Sequence, residues 1–94
     1  MDLPAIPSFR LDGKRALVSG AGRGIGLAAA SALAEAGAEV TLAARRGAEI
    51  AAAAAAIVAR GQKAQTHVID VTDLEAVRAW IASAPAFDIL FNNA

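Results

Sequence analysis

Cysteine and tyrosine are both missing from this sequence, and histidine occurs once, as His67. Without cysteine there is neither a disulfide framework nor a thiolate metal site, and one histidine cannot assemble a histidine cluster, so the side chains argue against a metal centre. Excess charge of one sign is missing too. Nine basic and nine acidic residues cancel, which removes the broad electrostatic footprint of a nucleic-acid binder. Long apolar runs are also lacking. Residues 50–59 are alanine-rich but bounded by Glu49 and Arg60, far short of the roughly 20 residues that cross a membrane. Residues 1–14 carry Asp2, Pro4 and Pro7 where an export signal needs a basic start and an unbroken apolar core. A soluble cytoplasmic protein is the expectation, with neither nucleic acid nor membrane among its partners.

What the sequence has in abundance is alanine, 27 of 94 residues, within a composition that is 56% hydrophobic. That bias suits helices packed closely on a sheet. A chain of this length buries somewhat more than about 60% of the surface its unfolded form exposes, enough for one modest core.

Apolar segments alternate with helical ones along the chain. Residues 15–19 predict a short buried strand ending in glycine. Residues 24–36 predict a helix with Ile25, Ala28, Ala29, Ala32, Leu33 and Ala36 on its inward stripe, stopped by Gly37. Residues 40–43 predict a second strand. A helix over 47–60 follows, with Ile50, Ala54 and Ile57 inward and Gly61 as its stop. Residues 64–70 predict a third strand, and Thr72-x-x-Glu75 reads as a capping box opening a third helix with Leu74, Val77 and Ile81 on one face, closed by Pro85. Residues 87–91 predict a fourth strand. Strand and helix alternating through short joints make an α/β fold. The expectation is a Rossmann-like doubly wound parallel sheet, in its β-α-β-α-β-α-β half, with strands in the order 3-2-1-4. Ending on a central strand would leave an apolar edge and face bare. Residues 1–94 are therefore expected to be a partial dinucleotide-binding Rossmann domain, the N-terminal half of a longer single-domain protein.

The run Ser19-Gly20-Ala21-Gly22-Arg23-Gly24-Ile25-Gly26 joins the first strand to the first helix. Glycines there let backbone approach a phosphate, free amides at the helix start donate to it, and the helix dipole favours its charge. The spacing is Gly-x-x-x-Gly-x-Gly through Gly20, Gly24 and Gly26. Gly-x-Gly-x-x-Gly would need a glycine where Ile25 or Leu27 stands, and no glycine-lysine pair completes a P-loop.

With Leu11-Asp12-Gly13-Lys14-Arg15-Ala16-Leu17-Val18 before it, this loop resembles that of the short-chain dehydrogenase/reductase superfamily. Asp70-Val71 resembles the family's pair after the third strand, which contacts the adenine. Asn92-Asn93-Ala94 matches the first three residues of its Asn-Asn-Ala-Gly motif. Ser19 stands where threonine is commoner and keeps the hydroxyl. The resemblance implies that Gly20, Ala21, Gly22, Arg23, Gly24, Ile25, Gly26, Asp70, Val71, Asn92, Asn93 and Ala94 contribute to a nicotinamide-cofactor site.

The residue at the end of the second strand normally selects between the two nicotinamide cofactors, an acid there binding the ribose hydroxyls of NAD(H). Here it is Ala44, followed at once by Arg45 and Arg46. Losing the carboxylate removes its repulsion of a 2′-phosphate, and guanidinium forks suit phosphate oxygens. Arg23 in the glycine loop can approach the same phosphate from the other side, so NADP(H) is expected over NAD(H). Family members move a hydride between nicotinamide and a carbonyl or alcohol carbon using a serine and a Tyr-x-x-x-Lys pair. The lysine charge lowers the tyrosine pKa. This sequence has no tyrosine, and its lysines, Lys14 and Lys63, lie before the first strand and at the second helix's end. No catalytic residue is assigned. The family reading implies a small carbonyl or alcohol substrate and a homodimer or homotetramer. A non-catalytic NAD(P)-binding or sensing module is the alternative.

Overall fold

The computed structural model describes residues 10–93; the N-terminal residues 1–9 and Ala94, the last of the expected cofactor residues, lie outside them. The elements run β1 (Arg15–Ser19), α1 (Gly24–Glu35), β2 (Glu39–Ala44), α2 (Gly47–Ala59), β3 (Lys63–Val68), α3 (Leu74–Ser83) and β4 (Ile89–Asn92). All pairings are parallel, and the strands lie in the order β3-β2-β1-β4. The doubly wound α/β expectation holds in full for these elements.

Strand alternation divides the core into two layers. On one face Ala16, Val18, Val40 and Leu42, all fully buried, meet Ala30 and Ala34 of α1 and Ile50, Ala53, Ala54 and Ile57 of α2. On the other, Leu17, Ala43 and Ile69 meet Val77 and Trp80 of α3 and Phe87 beyond it. The second layer is thinner, and no residue of α3 is buried. An aromatic ladder anchors this helix. His67 stacks face to face on Trp80 at 3.9 Å, Trp80 meets Phe87 edge-on at 6.0 Å, and the Arg15 guanidinium lies 4.6 Å above the Phe87 ring. None of the described helices is long and apolar enough to cross a membrane.

Three details differ from the sequence reading. The buried residues of α1 are Gly26, Ala30 and Ala34, with Leu27 and Leu33 flanking the core. Ile25, Ala28 and Ala32, placed inward by the apolar stripe, are instead exposed, Ile25 to 71%. The helix turns Gly26 inward because only a residue without a side chain fits against Gly20. The N-cap of α3 is Asp73, whose carboxylate accepts from the Ala76 amide at 3.1 Å. Thr72 is not that cap, because its hydroxyl and amide both donate to Asp70 Oδ1, at 2.7 and 2.9 Å. Leu74 and Ile81 of α3 are exposed rather than inward-facing, since the helix docks through Ala76, Val77 and Trp80. The stops at Gly37 and Gly61 stand as expected, with φ of +108° and +79°.

Candidate functional site

Because every strand runs the same way, the joints after β1, β2, β3 and β4 all emerge at one edge of the sheet. The register brings them level: Ser19 pairs with Ala43 on one side and Asn92 on the other, and Ala44 pairs with Val68. The order reverses direction at β1, whose two neighbours are β2 and β4. In open parallel sheets the crevice at such a reversal is where ligands bind.

Backbone rather than side chains shapes the glycine loop. Gly20 and Gly24 adopt φ of +65° and +62°, a region that penalises a Cβ. Gly26 has an ordinary φ but no room: a Cβ there would come within 2.8 Å of the Gly20 carbonyl carbon and 3.0 Å of Asn93 Nδ2. Gly22 faces Glu49, whose Cβ and Oε2 would both lie 2.8 Å from an added Cβ. The Gly20 amide donates to the Ala43 carbonyl at 2.9 Å, tying the loop to β2. Ala21 is fully buried beneath it. Arg23, the N-cap of α1, makes no side-chain cap bond, and the first turn of α1 holds no acid. The loop thus presents a helix start with no anionic side chain of its own, a surface that accepts an anionic group.

Ser19 ties the loop to β4. Its hydroxyl, on a residue 6% exposed, donates to Asn92 Oδ1 at 2.9 Å and accepts from the Asn93 amide at 3.2 Å. Both asparagines are therefore held by a residue more than 70 positions earlier. The sequence reading noted only that serine preserves a hydroxyl. The signal available was a hydroxyl and an asparagine at the ends of two strands expected to be neighbours.

Beside the loop lies a cleft of about 330 Å³. Gly20 and Arg23 from the loop, Ala44, Arg45 and Arg46 after β2, and Asp70 and Val71 after β3 line it. Seven of the expected residues are thus gathered at one place. Glu49, Ile69 and Thr72 complete the lining, and the sequence reading gave them no role there. In the sequence Glu49 figures only as a charge bounding the alanine-rich run. Of the remaining expected residues, Gly24 borders the groove between α1 and α2, Asn92 borders an apolar hollow beside Leu17 and Trp80, and Ile25 faces solvent.

Three arginines face two carboxylates in this cleft. Glu49 Oε1 stands 3.5 Å from the Arg46 guanidinium. The hydroxyl and amide of Thr72 hold the Asp70 carboxyl below the usual range, with the charge of Arg45 adding to the effect. Asp70 is thus ionised at neutral pH, its Oδ1 engaged in the turn that leads to α3.

A parallel sheet that reverses at β1, with a glycine loop opening α1, defines a doubly wound nucleotide-type domain. Residues 14–94 match the family model of the short chain dehydrogenase, and the chain belongs to that family. Gluconate 5-dehydrogenase of Gluconobacter oxydans (strain 621H) is 48% identical over 90 residues, covering 92% of this chain and 35% of that protein. A metagenomic short-chain oxidoreductase solved in complex with NADP superposes with a TM-score of 0.83 at 40% identity, covering 89% of this chain and 40% of that one. A gluconate 5-dehydrogenase from Burkholderia cenocepacia J2315, in complex with NADP and tartrate, superposes with a TM-score of 0.82 at 45% identity, covering 93% and 36%. The chain spans about a third of the length of the curated relatives it matches.

Proposed function

We propose that the intact protein is an NADP(H)-dependent oxidoreductase that moves a hydride between nicotinamide and the carbonyl or alcohol carbon of a small substrate. Residues 1–94 would then be the N-terminal half of its dinucleotide-binding domain. The observation that carries this reading is the convergence of Arg23, Arg45 and Arg46 on one cleft behind Ala44, at the carboxyl ends of β1, β2 and β3. The amides at the start of α1 would receive the pyrophosphate. Gly20, Ala21, Gly22, Gly24, Ile25 and Gly26 would form its backbone cradle. Asp70 and Val71 would border the adenine, and Arg23, Arg45 and Arg46 would take the 2′-phosphate. Asn92, the last residue of β4, and Asn93 after it would lie toward the nicotinamide.

The residues present fit such a cofactor, because Gly20 and Gly24 hold backbone conformations that penalise a Cβ and a Cβ at Gly22 or Gly26 would meet Glu49 or the Gly20 backbone, which leaves these four loop positions as bare backbone. When bound, the nicotinamide supplies or accepts the hydride; these residues bind and orient it. NADP complexes among similar structures support the choice of cofactor. A cytoplasmic homodimer or homotetramer belongs to the same reading, with sedimentation of the intact protein as its measure.

Arg45→Asp tests the cofactor assignment. Removing a charge-assisted contact and adding a repulsive charge is expected to weaken NADPH binding by about a hundredfold while leaving NADH within about threefold. Unchanged NADPH affinity would remove Arg45 from the site. Tight binding of both cofactors by the intact protein, without turnover of any carbonyl or alcohol, would instead mark a non-catalytic binding module.

A further inference from the structure

We infer that Glu49 is a specificity-determining residue of this cleft: its carboxylate acts as an internal competitor for the positive groups that would receive a 2′-phosphate, restraining the preference for NADP(H). The inference deepens the NADP(H) reading and rests on it. Glu49 does not extend into solvent. Its side chain is 33% exposed against 73% for Arg46, and its Cβ and Oε2 lie against the glycine loop at Gly22. Oε1 stands 3.5 Å from the Arg46 guanidinium, at a spacing of three residues along the chain.

Glu49 also sits in the first turn of α2, where a negative charge is favoured by the helix dipole. One carboxylate thus engages Arg46 and the start of α2 while lying against the glycine loop. A 2′-phosphate entering between Arg23 and Arg45 would carry close to two negative charges into the same cleft. It would be repelled by Glu49 and would have to share Arg46 with it. A ribose bearing only hydroxyls would be spared most of that repulsion. The carboxylate should therefore act on the phosphate-bearing ligand and barely on the other.

Adenosine 2′,5′-bisphosphate and adenosine 5′-monophosphate differ only in the 2′-phosphate, so their dissociation constants on the intact protein isolate its contribution without any catalytic readout. Glu49→Gln is expected to tighten the bisphosphate about three- to tenfold and to move the monophosphate less than about twofold, the gain shrinking in high salt. Glu49→Ala should give the same sign, which keeps the test valid if either variant folds poorly. Equal changes for both ligands, no change, or weaker bisphosphate binding overturns the inference. Arg45→Asp separates the two claims. If it loses bisphosphate affinity while the Glu49 variants show no gain, only the role of Glu49 fails. If the parent itself binds the bisphosphate no more tightly than the monophosphate, the NADP(H) reading fails and the inference with it.

Discussion

The N-termini of α1 and α3 solve the same problem in opposite ways. Both expose backbone amides with no partner in the helix. At α3, Asp73 caps the Ala76 amide and Glu75 lies in the first turn, so the helix satisfies its own start. At α1, the N-cap is Arg23, no side chain caps, and no acid lies in the first turn. The helix away from the sheet reversal carries its own anion, and the helix at the reversal leaves that position open. A helix start built without its own anion is open to one from outside.

The sharpest way to break this contrast is to close the approach between α1 and the loop. Gly26→Ala places a methyl against the backbone of Gly20, which cannot swing away as a flexible side chain would. We expect a loss of about 3 kcal/mol in chemical denaturation, with nucleotide binding lost alongside. Arg23→Asp makes α1 resemble α3. It should stabilise the helix by up to about 1 kcal/mol and weaken dinucleotide binding by tenfold or more, as titration would measure. A variant that gains stability and keeps its affinity would show that the open start is irrelevant to binding. Asp73→Ala makes the reverse change, with an expected cost of about 1 kcal/mol and unchanged nucleotide affinity.

The smallest expected effect is on pH. Asp70 has its folded pKa depressed below 3.8, first through its bonds from Thr72. Its contribution is therefore fully present above that unfolded value and lost as pH falls through the lower folded one. Asp70→Asn should therefore lower stability slightly at neutral pH, where the contribution is present, and flatten the acid limb below about pH 4, where the parent loses it.

The two helices on the thicker face also show how much of the fold the sequence makes legible. In α2 the inward face was readable because Ile50 and Ile57 are large among small neighbours, and both are buried. In α1 alanines occupy almost every phase of the helix, so apolar period distinguishes faces poorly. Its orientation is set instead by Gly26 meeting Gly20, a contact made by the absence of a side chain. Hydrophobic pattern cannot register such a contact. Similar ambiguity explains Thr72 and Asp73, adjacent residues that can both cap, of which Thr72 is drawn off by Asp70. The loop glycines and the arginines after β2 were legible from their places at strand ends, and Asp70 through the family resemblance that its pair with Val71 carries. Glu49 was not, since its approach to Gly22 spans 27 residues and depends on how α2 packs beside the loop.

The stack of His67 on Trp80 gives the thinner face its own spectroscopic reporter. Trp80 is the only tryptophan in the chain, and its indole lies within 7° of parallel to the imidazole. Its emission therefore reads the docking of α3 on β3, whereas far-ultraviolet dichroism reads the whole backbone. If the two signals diverge during unfolding, α3 leaves as a separate unit before the sheet and the other helices give way.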